Sequence, residues 1–212
     1  MSMQLISVNV GQPREVETPR GTVRTGIFKS PVSGRVAAHG HHLEGDRQAD
    51  LRVHGGPKKA IYVYPGEHYS YWASELPEIE LGFGHFGENL TTEGFHEAEV
   101  HIGDRYRIGS VSVEVTQPRM PCSKLALRFG LPDMVKRFWQ SGRSGIYLAI
   151  VEEGELGSGD AVEQIYADPN HVSIADVVSL FKRESDDPSL FARAMRAPLY
   201  GSWKREIQER WE

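Results

Sequence analysis

Apolar and polar residues alternate in short runs through most of this chain. Residues 5–10, 24–28, 34–38, 105–108, 111–116 and 161–166 have the period of extended strands. Residues 60–64 (Ala-Ile-Tyr-Val-Tyr) and 145–151 (Gly-Ile-Tyr-Leu-Ala-Ile-Val) are continuous, β-prone apolar runs, the pattern of strands covered on both faces. Residues 100–102 join 105–108 and 111–116 in an expected meander, punctuated by Gly103-Asp104 and Gly109-Ser110. Two stretches switch to a helical period. Residues 67–75 follow Pro65-Gly66 and carry Tyr69, Tyr71 and Trp72. Residues 131–141 start at Pro132-Asp133 and carry Met134, Val135 and Phe138. The 22 glycines and 12 prolines suit this many turns, and many short strands with frequent turns predict a barrel or a sandwich.

The pattern changes at Asp168-Pro169-Asn170. Beyond it the period is helical throughout. Ser173 caps a helix through Ile174, Val177, Val178 and Leu180, which Asp186-Asp187-Pro188 ends. A second helix over 189–197 carries Leu190, Phe191, Ala194 and Met195 and stops at Pro198. Ser202 caps a third through Trp203, Ile207 and Trp211. The expected architecture is mainly β: a barrel-like domain with a few helices over 1–167, and a small all-α module over 168–212. The module is too small to hold a core of its own and is expected to pack on the barrel.

Composition narrows the classes. The 212 residues carry a formal charge of -5, with 39% hydrophobic and 25% charged residues, ordinary values for a globular protein. The charge balance gives no case for nucleic-acid binding. No window approaches the roughly 18 apolar residues of a membrane span. The start, Met1-Ser2-Met3-Gln4-Leu5, lacks the basic and long apolar stretch of a secretory signal. A single cysteine cannot form an intramolecular disulfide, which points to a reducing compartment, the cytoplasm.

That cysteine is the first candidate for chemistry. Cys122 lies in Gln117-Pro118-Arg119-Met120-Pro121-Cys122-Ser123-Lys124, directly after the strand pattern at 111–116. Two prolines stiffen the turn, and Arg119 and Lys124 favour thiolate over thiol. A thiolate is a nucleophile or a ligand for a soft metal. A small buried hydrophobe is the alternative. The second candidate is residues 43–60, where Asp46, Asp50, Arg52, His54, Lys58 and Lys59 surround Gly55-Gly56. Such a loop either offers amides and cations to an anion or is a polar turn held by Asp46 and Asp50. In the third, Phe83-Gly84-His85-Phe86-Gly87-Glu88-Asn89-Leu90, Glu88 and Asn89 either line a site or cap the turn, and Gly87 suits a backbone angle closed to other residues. His39, His41 and His42 are crowded but match no zinc spacing, and no nucleophile-elbow or dinucleotide fingerprint is present.

Together these segments resemble the MOSC family, named after the C-terminal domain of molybdenum-cofactor sulfurase, and within it the bacterial branch linked to resistance to 6-N-hydroxylaminopurine. The resemblance rests on five ordered segments: Leu43-Glu44-Gly45-Asp46-x-Gln48-Ala49-Asp50; Val53-His54-Gly55-Gly56-Pro57; Tyr64-Pro65-x-Glu67-His68-Tyr69-x-Tyr71-Trp72; Phe86-Gly87-Glu88-Asn89-Leu90; and Gln117-Pro118-Arg119-x-Pro121-Cys122-x-Lys124-Leu125. The tail from His171 is similar to the three-helix module of that branch.

The resemblance implies a barrel-like fold and a molybdenum cofactor, molybdenum held by a pyranopterin dithiolene with a terminal phosphate. It maps the metal-ligating thiolate to Cys122. It implies reduction of hydroxylaminopurines, amidoximes or hydroxamic acids, a molybdenum-dependent oxidoreductase cleaving N–O bonds. Arg119 and Lys124 would contact the pterin or its phosphate. His54, the Gly55-Gly56 amides and Lys58 would hold the cofactor's polar edge, and Lys29 and Ser30 would reach the phosphate. Glu88 and Asn89 would line the substrate side, and Asp46 would position His54 or deliver a proton. With no ferredoxin-type cysteine set and no flavin fingerprint, electrons would come from a separate flavin or iron–sulfur protein. A homodimer stays open. The competing functions are a cofactor or persulfide carrier without turnover, and a plain thiol hydrolase or redox sensor.

Overall fold

The computed structural model describes residues 2–19, 21–50 and 55–211. The chain forms β1 (Gln4–Val10), β2 (Arg14–Thr18), β3 (Gly21–Thr25), β4 (Ser30–Val32), β5 (Arg35–His39) and β6 (His42–Leu43). A 3-10 turn at Pro57–Lys59 leads into β7 (Ile61–Pro65), α1 (His68–Glu75), β8 (Leu90–Glu93), β9 (Arg105–Ile108) and β10 (Val111–Pro118). Then follow α2 (Ser123–Phe129), α3 (Met134–Gln140), β11 (Ile146–Glu152), β12 (Gly154–Gly157) and β13 (Val162–Tyr166). The tail is α4 (Ile174–Lys182), α5 (Pro188–Arg196) and α6 (Gly201–Trp211).

Eight strands share one sheet in the order β13-β9-β10-β11-β7-β8-β1-β4. Neighbours run antiparallel except β7 and β8, which are parallel and are joined through α1. The expected barrel is not closed. β13 and β4 end the strand order; the isolated bridge of Gln4 to Ala161 ties β1 to the start of β13, with Leu5 N–H to Asp160 O at 2.9 Å, Gly159 N–H to Leu5 O at 2.8 Å and Val162 N–H to Met3 O at 2.9 Å. A three-stranded sheet, β12-β5-β6, and the β2–β3 ribbon complete the β structure among the described residues.

The two apolar runs are the central strands. β7 is buried at every position, as a strand covered on both faces must be. The meander is shorter than expected, because residues 100–102 form no strand. His101 makes one bridge to Ser173, and Ile102 N–H bonds Val172 O at 2.8 Å. This segment is spent on anchoring the helical tail.

Two of the three tail helices start at expected marks, while Ser202 does not cap the third: α6 begins at Gly201, and its first turn closes on the Tyr200 carbonyl through Trp203 N–H at 2.9 Å. Ser173 accepts from Asp176 N–H while Asp176 accepts from Ser173 N–H, a reciprocal capping box. Asp187 caps α5, whose first residue is Pro188. Leu180, Phe181, Ala194, Trp203 and Ile207 are buried in the same cluster as Val113, Val115 and Ile102 of the β region. Trp203 packs against Phe181 at 4.9 Å between ring centroids, and Trp211 stacks on Phe191 at 4.5 Å, so both tryptophans of the tail serve the core. A second cluster, with Tyr64, Trp72, Phe86, Leu125, Phe129 and Phe138, fastens α1, α2 and α3 beneath the site.

Candidate functional site

Cys122 stands where a strand gives way to a helix. β10 ends at Pro118, the stiff turn 119–121 follows, and Cys122 is extended (φ -134°, ψ 170°) immediately before α2. Leu125 N–H bonds the Cys122 carbonyl at 2.9 Å, which fixes the cysteine to the first turn of that helix. Its half-buried side chain lines a cleft of about 190 Å³, together with Lys29, Lys59, Arg119 and Lys124. Arg24 and one acid, Asp50, also line it. A thiol and a cationic cleft are thus assembled from segments nearly a hundred residues apart.

Arg119 is a fixed part of this wall. It is 5% exposed, donates from Nη1 to Phe86 O at 2.6 Å, and lies 4.6 Å from the centre of the Tyr62 ring and 5.5 Å from that of Phe138. Burial works against its charge, but the neighbouring Tyr62, Tyr147 and Cys122 groups outweigh burial and hold it charged. Tyr62 and Tyr147 are direct cross-strand partners in β7 and β11, with ring centroids 5.2 Å apart. Burial pushes both phenols up, so they stay neutral. Tyr62 donates to Ser144 O at 3.0 Å.

Lys29 lines the cleft and is 7% exposed; its Nζ pairs with Oδ1 of the fully buried Asp46. The same Oδ1 accepts Gly11 N–H at 3.0 Å, while Oδ2 is buried with no hydrogen-bond partner. Burial pulls the Lys29 ammonium below its usual range, and Asp46 opposes that pull. Asp46 therefore sits behind the wall and acts on the cleft through Lys29.

The 83–90 segment splits its expected roles. Asn89 lines the cleft and is locked to β7, its Oδ1 accepting Tyr62 N–H at 3.1 Å. Glu88 does not line it. Its carboxylate is buried and accepts Gly84 N–H at 2.7 Å, Phe86 N–H at 3.1 Å, the Thr91 hydroxyl at 3.1 Å and the Tyr69 hydroxyl, tying the loop into shape. Burial pushes this carboxyl up against those bonds. Gly87 has φ +79°, and a Cβ there would meet Ile27 Cγ1 at 2.7 Å, so glycine is required by both angle and space.

The 43–60 loop is only partly described. His54, with residues 51–53, lies outside the described residues. Gly55 (φ +92°) lines the cleft; Gly56 (φ +82°) follows just outside the lining. Lys58 is taken by Glu114, with Nζ to Oε1 at 3.0 Å, and it is Lys59 that lines the cleft, its ammonium pulled down by burial. Ser30 is exposed in β4, paired with Val10, and lies away from the cleft. Among the described residues no group of His, Cys, Asp and Glu is arranged to hold a metal ion unaided. His39 and His42 stack edge to face, with centroids 4.7 Å apart.

The structure therefore brings Cys122, Arg119, Lys124, Lys29, Gly55 and Asn89 together, and places Asp46, Glu88, Gly56, Lys58 and Ser30 behind or beside them. Sequence reasoning passed over Tyr62, Tyr147 and Arg24. The two tyrosines sit inside apolar runs and look like core residues. Only their cross-strand register turns both toward Arg119.

Comparison with known proteins places the chain in a family. The model of the MOSC domain matches residues 50–163. An uncharacterized protein, YflK of Bacillus subtilis, is 36% identical over 97% of this chain and 93% of its own. YiiM of Escherichia coli is 36% identical over 87% of this chain and 83% of its own. A Gibberella moniliformis protein named "Reductase" is 31% identical over 84% of this chain, which spans 32% of that longer protein. The crystal structure of YiiM from Geobacillus stearothermophilus superposes with a TM-score of 0.80 at 34% identity, covering 99% of this chain and all of that one. By sequence and by fold, the chain belongs to the MOSC domain family.

Proposed function

We propose that this protein reduces N-hydroxylated compounds with a molybdenum cofactor seated in the cleft, Cys122 being the protein's ligand to the metal. The observation that carries the reading is the placement of the chain's one thiol in a cleft that also takes Lys29, Lys59, Arg119 and Lys124. The donor set fits such a cofactor. A soft sulfur suits a metal already held by sulfur, and lysines suit a phosphate. The match to part of a longer fungal protein named "Reductase" supports the same class.

When bound, the cofactor supplies the two-electron redox chemistry. The reaction balances as R–NH–OH plus two electrons and two protons giving R–NH2 and water. Lys59 and Lys124 would hold the phosphate. Arg119, charged and fixed by Phe86 O and two tyrosines, keeps positive charge beside Cys122 and favours its thiolate. Lys29, backed by Asp46, is the buried N–H donor facing the cleft and the group best placed to hold a proton there. Tyr62 and Tyr147 close the wall with neutral rings. Electrons come from a separate flavin or iron–sulfur protein.

The test is molybdenum and pterin content per chain, for wild type and Cys122→Ala from a cofactor-competent host, followed by turnover of a hydroxylaminopurine and a hydroxamic acid. Near-stoichiometric molybdenum and turnover, both lost in Cys122→Ala, are expected. A variant with full activity, or a wild type with turnover but no metal, overturns the reading. A stable persulfide on Cys122 without molybdenum replaces it with the carrier function.

A further inference from the structure

A second group of cations lies one helical turn from the cleft. Phe28, at the turn between two cleft-lining residues, Ile27 and Lys29, carries two guanidiniums. The Arg14 carbon is 3.6 Å from its ring centre and the Arg128 carbon 5.1 Å. Burial and the neighbouring Arg14 charge both work against the charge on Arg128, and outweigh the favourable influence of Glu88 and Tyr69. Its Nε is buried with no hydrogen-bond partner. Beside it, the Nε2 of His85 is also buried without a partner, with that ring 4.6 Å from Phe129. Two like charges held together, with two polar atoms left unsatisfied, form an arrangement that an anion would complete.

The position relates this group to the cleft. Lys124 and Arg128 are four residues apart in α2, hence on one face, and Lys124 lines the cleft. Cys122 and Arg128 are six residues apart, about 9 Å along the helix axis. That is the scale on which a ribose carries a phosphate away from a purine amine. Because Arg128 and His85 are recessed among rings, the arrangement suits a small ligand better than a flat protein face.

We infer that Arg14 and Arg128, over Phe28, form a phosphate subsite outside the cleft, so that the ligand reaching Cys122 carries a phosphate ester, as a nucleotide does. The inference rests on the reductase reading for the identity of the base. Because Lys59 and Lys124 serve the cofactor's phosphate in the cleft, this phosphate is read as the substrate's, and the cofactor's tail is the other outcome of the test.

The experiment is calorimetric titration with adenosine 5'-monophosphate and with adenosine, on protein from hosts that make the cofactor and hosts that do not. The monophosphate is expected to bind about tenfold more tightly, as two charge-assisted contacts allow. That preference should fall to near unity in Arg14→Gln and in Arg128→Gln. Arg14 is exposed, so its variant keeps the test valid if Arg128→Gln folds poorly. A preference that persists in molybdenum-loaded protein assigns the subsite to the substrate. One seen only without the cofactor, with molybdenum retention reduced in both variants, assigns it to the cofactor's phosphate. Equal binding of the two probes, or a preference kept by both variants, overturns the subsite. Binding is read without turnover, so a protein that reduces no N-hydroxylated compound yet keeps the preference refutes the reductase reading alone.

Discussion

Breaking the Lys29–Asp46 pair tests how the cleft wall is held. Both partners are nearly inaccessible, and Asp46 Oδ1 also satisfies Gly11 N–H. Asp46→Asn keeps the shape and leaves Lys29 without its paired carboxylate. Removing one member of a buried pair costs about 3–5 kcal/mol. The chain has one escape, which is to release the Lys29 proton. From an ordinary lysine pKa near 10.4, that release at pH 7 costs about 4.6 kcal/mol, the same scale. The two estimates together fix a pH signature. In the variant the folded lysine is neutral while the unfolded one is protonated, so the unfolded state binds more protons and stability rises with pH. Relative to wild type, the defect should shrink by about 2.7 kcal/mol between pH 7 and pH 9, or 1.36 kcal/mol per unit. Lys29→Met leaves the buried carboxylate unpaired instead, at a cost on the same scale. Lys29→Met with Asp46→Leu removes both charges and should cost less than about 1.5 kcal/mol, since packed apolar pairs replace buried ion pairs at little loss. Urea unfolding of all four proteins at the two pH values decides the matter. A defect in Asp46→Asn below about 1 kcal/mol and flat with pH would refute a charged buried pair.

Two further outcomes follow from named groups. Burial and Arg128 pull His85 down to about 4, so the unfolded chain takes up a proton from about pH 6.5 downward that the folded chain refuses; stability is full above that pH and is lost as the pH falls toward 4. The full shift is worth about 3.4 kcal/mol, and about 1–2 kcal/mol once the partly exposed ring is allowed for; His85→Gln should remove that slope in unfolding curves between pH 7 and 4.5, and an unchanged slope would sink the assignment. Gly87→Ala should cost about 2 kcal/mol or more, from the positive φ and the contact with Ile27; a variant as stable as wild type by thermal melting would show that the loop can shift freely.

The central strands and the tail helices were legible because each carries its own signal. Ile61–Pro65 and Ile146–Glu152 are long apolar runs, and Ser173, Asp187 and Pro188 are local stop and start marks. The short strands Ser30–Val32, His42–Leu43 and Gly154–Gly157 were not legible. Two to four residues make no period, and these extend only because partners from elsewhere in the chain accept them. The helix Ser123–Phe129 escaped for a related reason: seven residues after a proline-rich turn are marginal without the aromatic cluster they cover. At the site, Cys122, Arg119 and Lys124 were visible because unusual residue types crowd one turn. The exchange of Lys58 for Lys59 was not, since both are exposed-type cations and only Glu114 on the neighbouring strand decides which one the cleft receives.

That exchange shows how this fold makes a site from strand ends. The walls come from the ends of β3, β7 and β10 and from the loops that follow or precede them, and each is held by a contact to a different segment. Arg119 is pinned by the Phe86 carbonyl, Asn89 by the β7 backbone, Lys29 by Asp46, and the 84–91 loop by Glu88. None of these contacts is local in sequence except the last. The cleft can therefore take its shape only once the sheet has paired, and a defect in any one tie should misplace charges supplied by the others. The buried Asp46 and Glu88 then have a common role that neither motif reveals. Each acts on the cleft without entering it, one by fixing a lysine in its wall and the other by fixing the loop whose Phe86 carbonyl holds Arg119 in the same lining as Cys122.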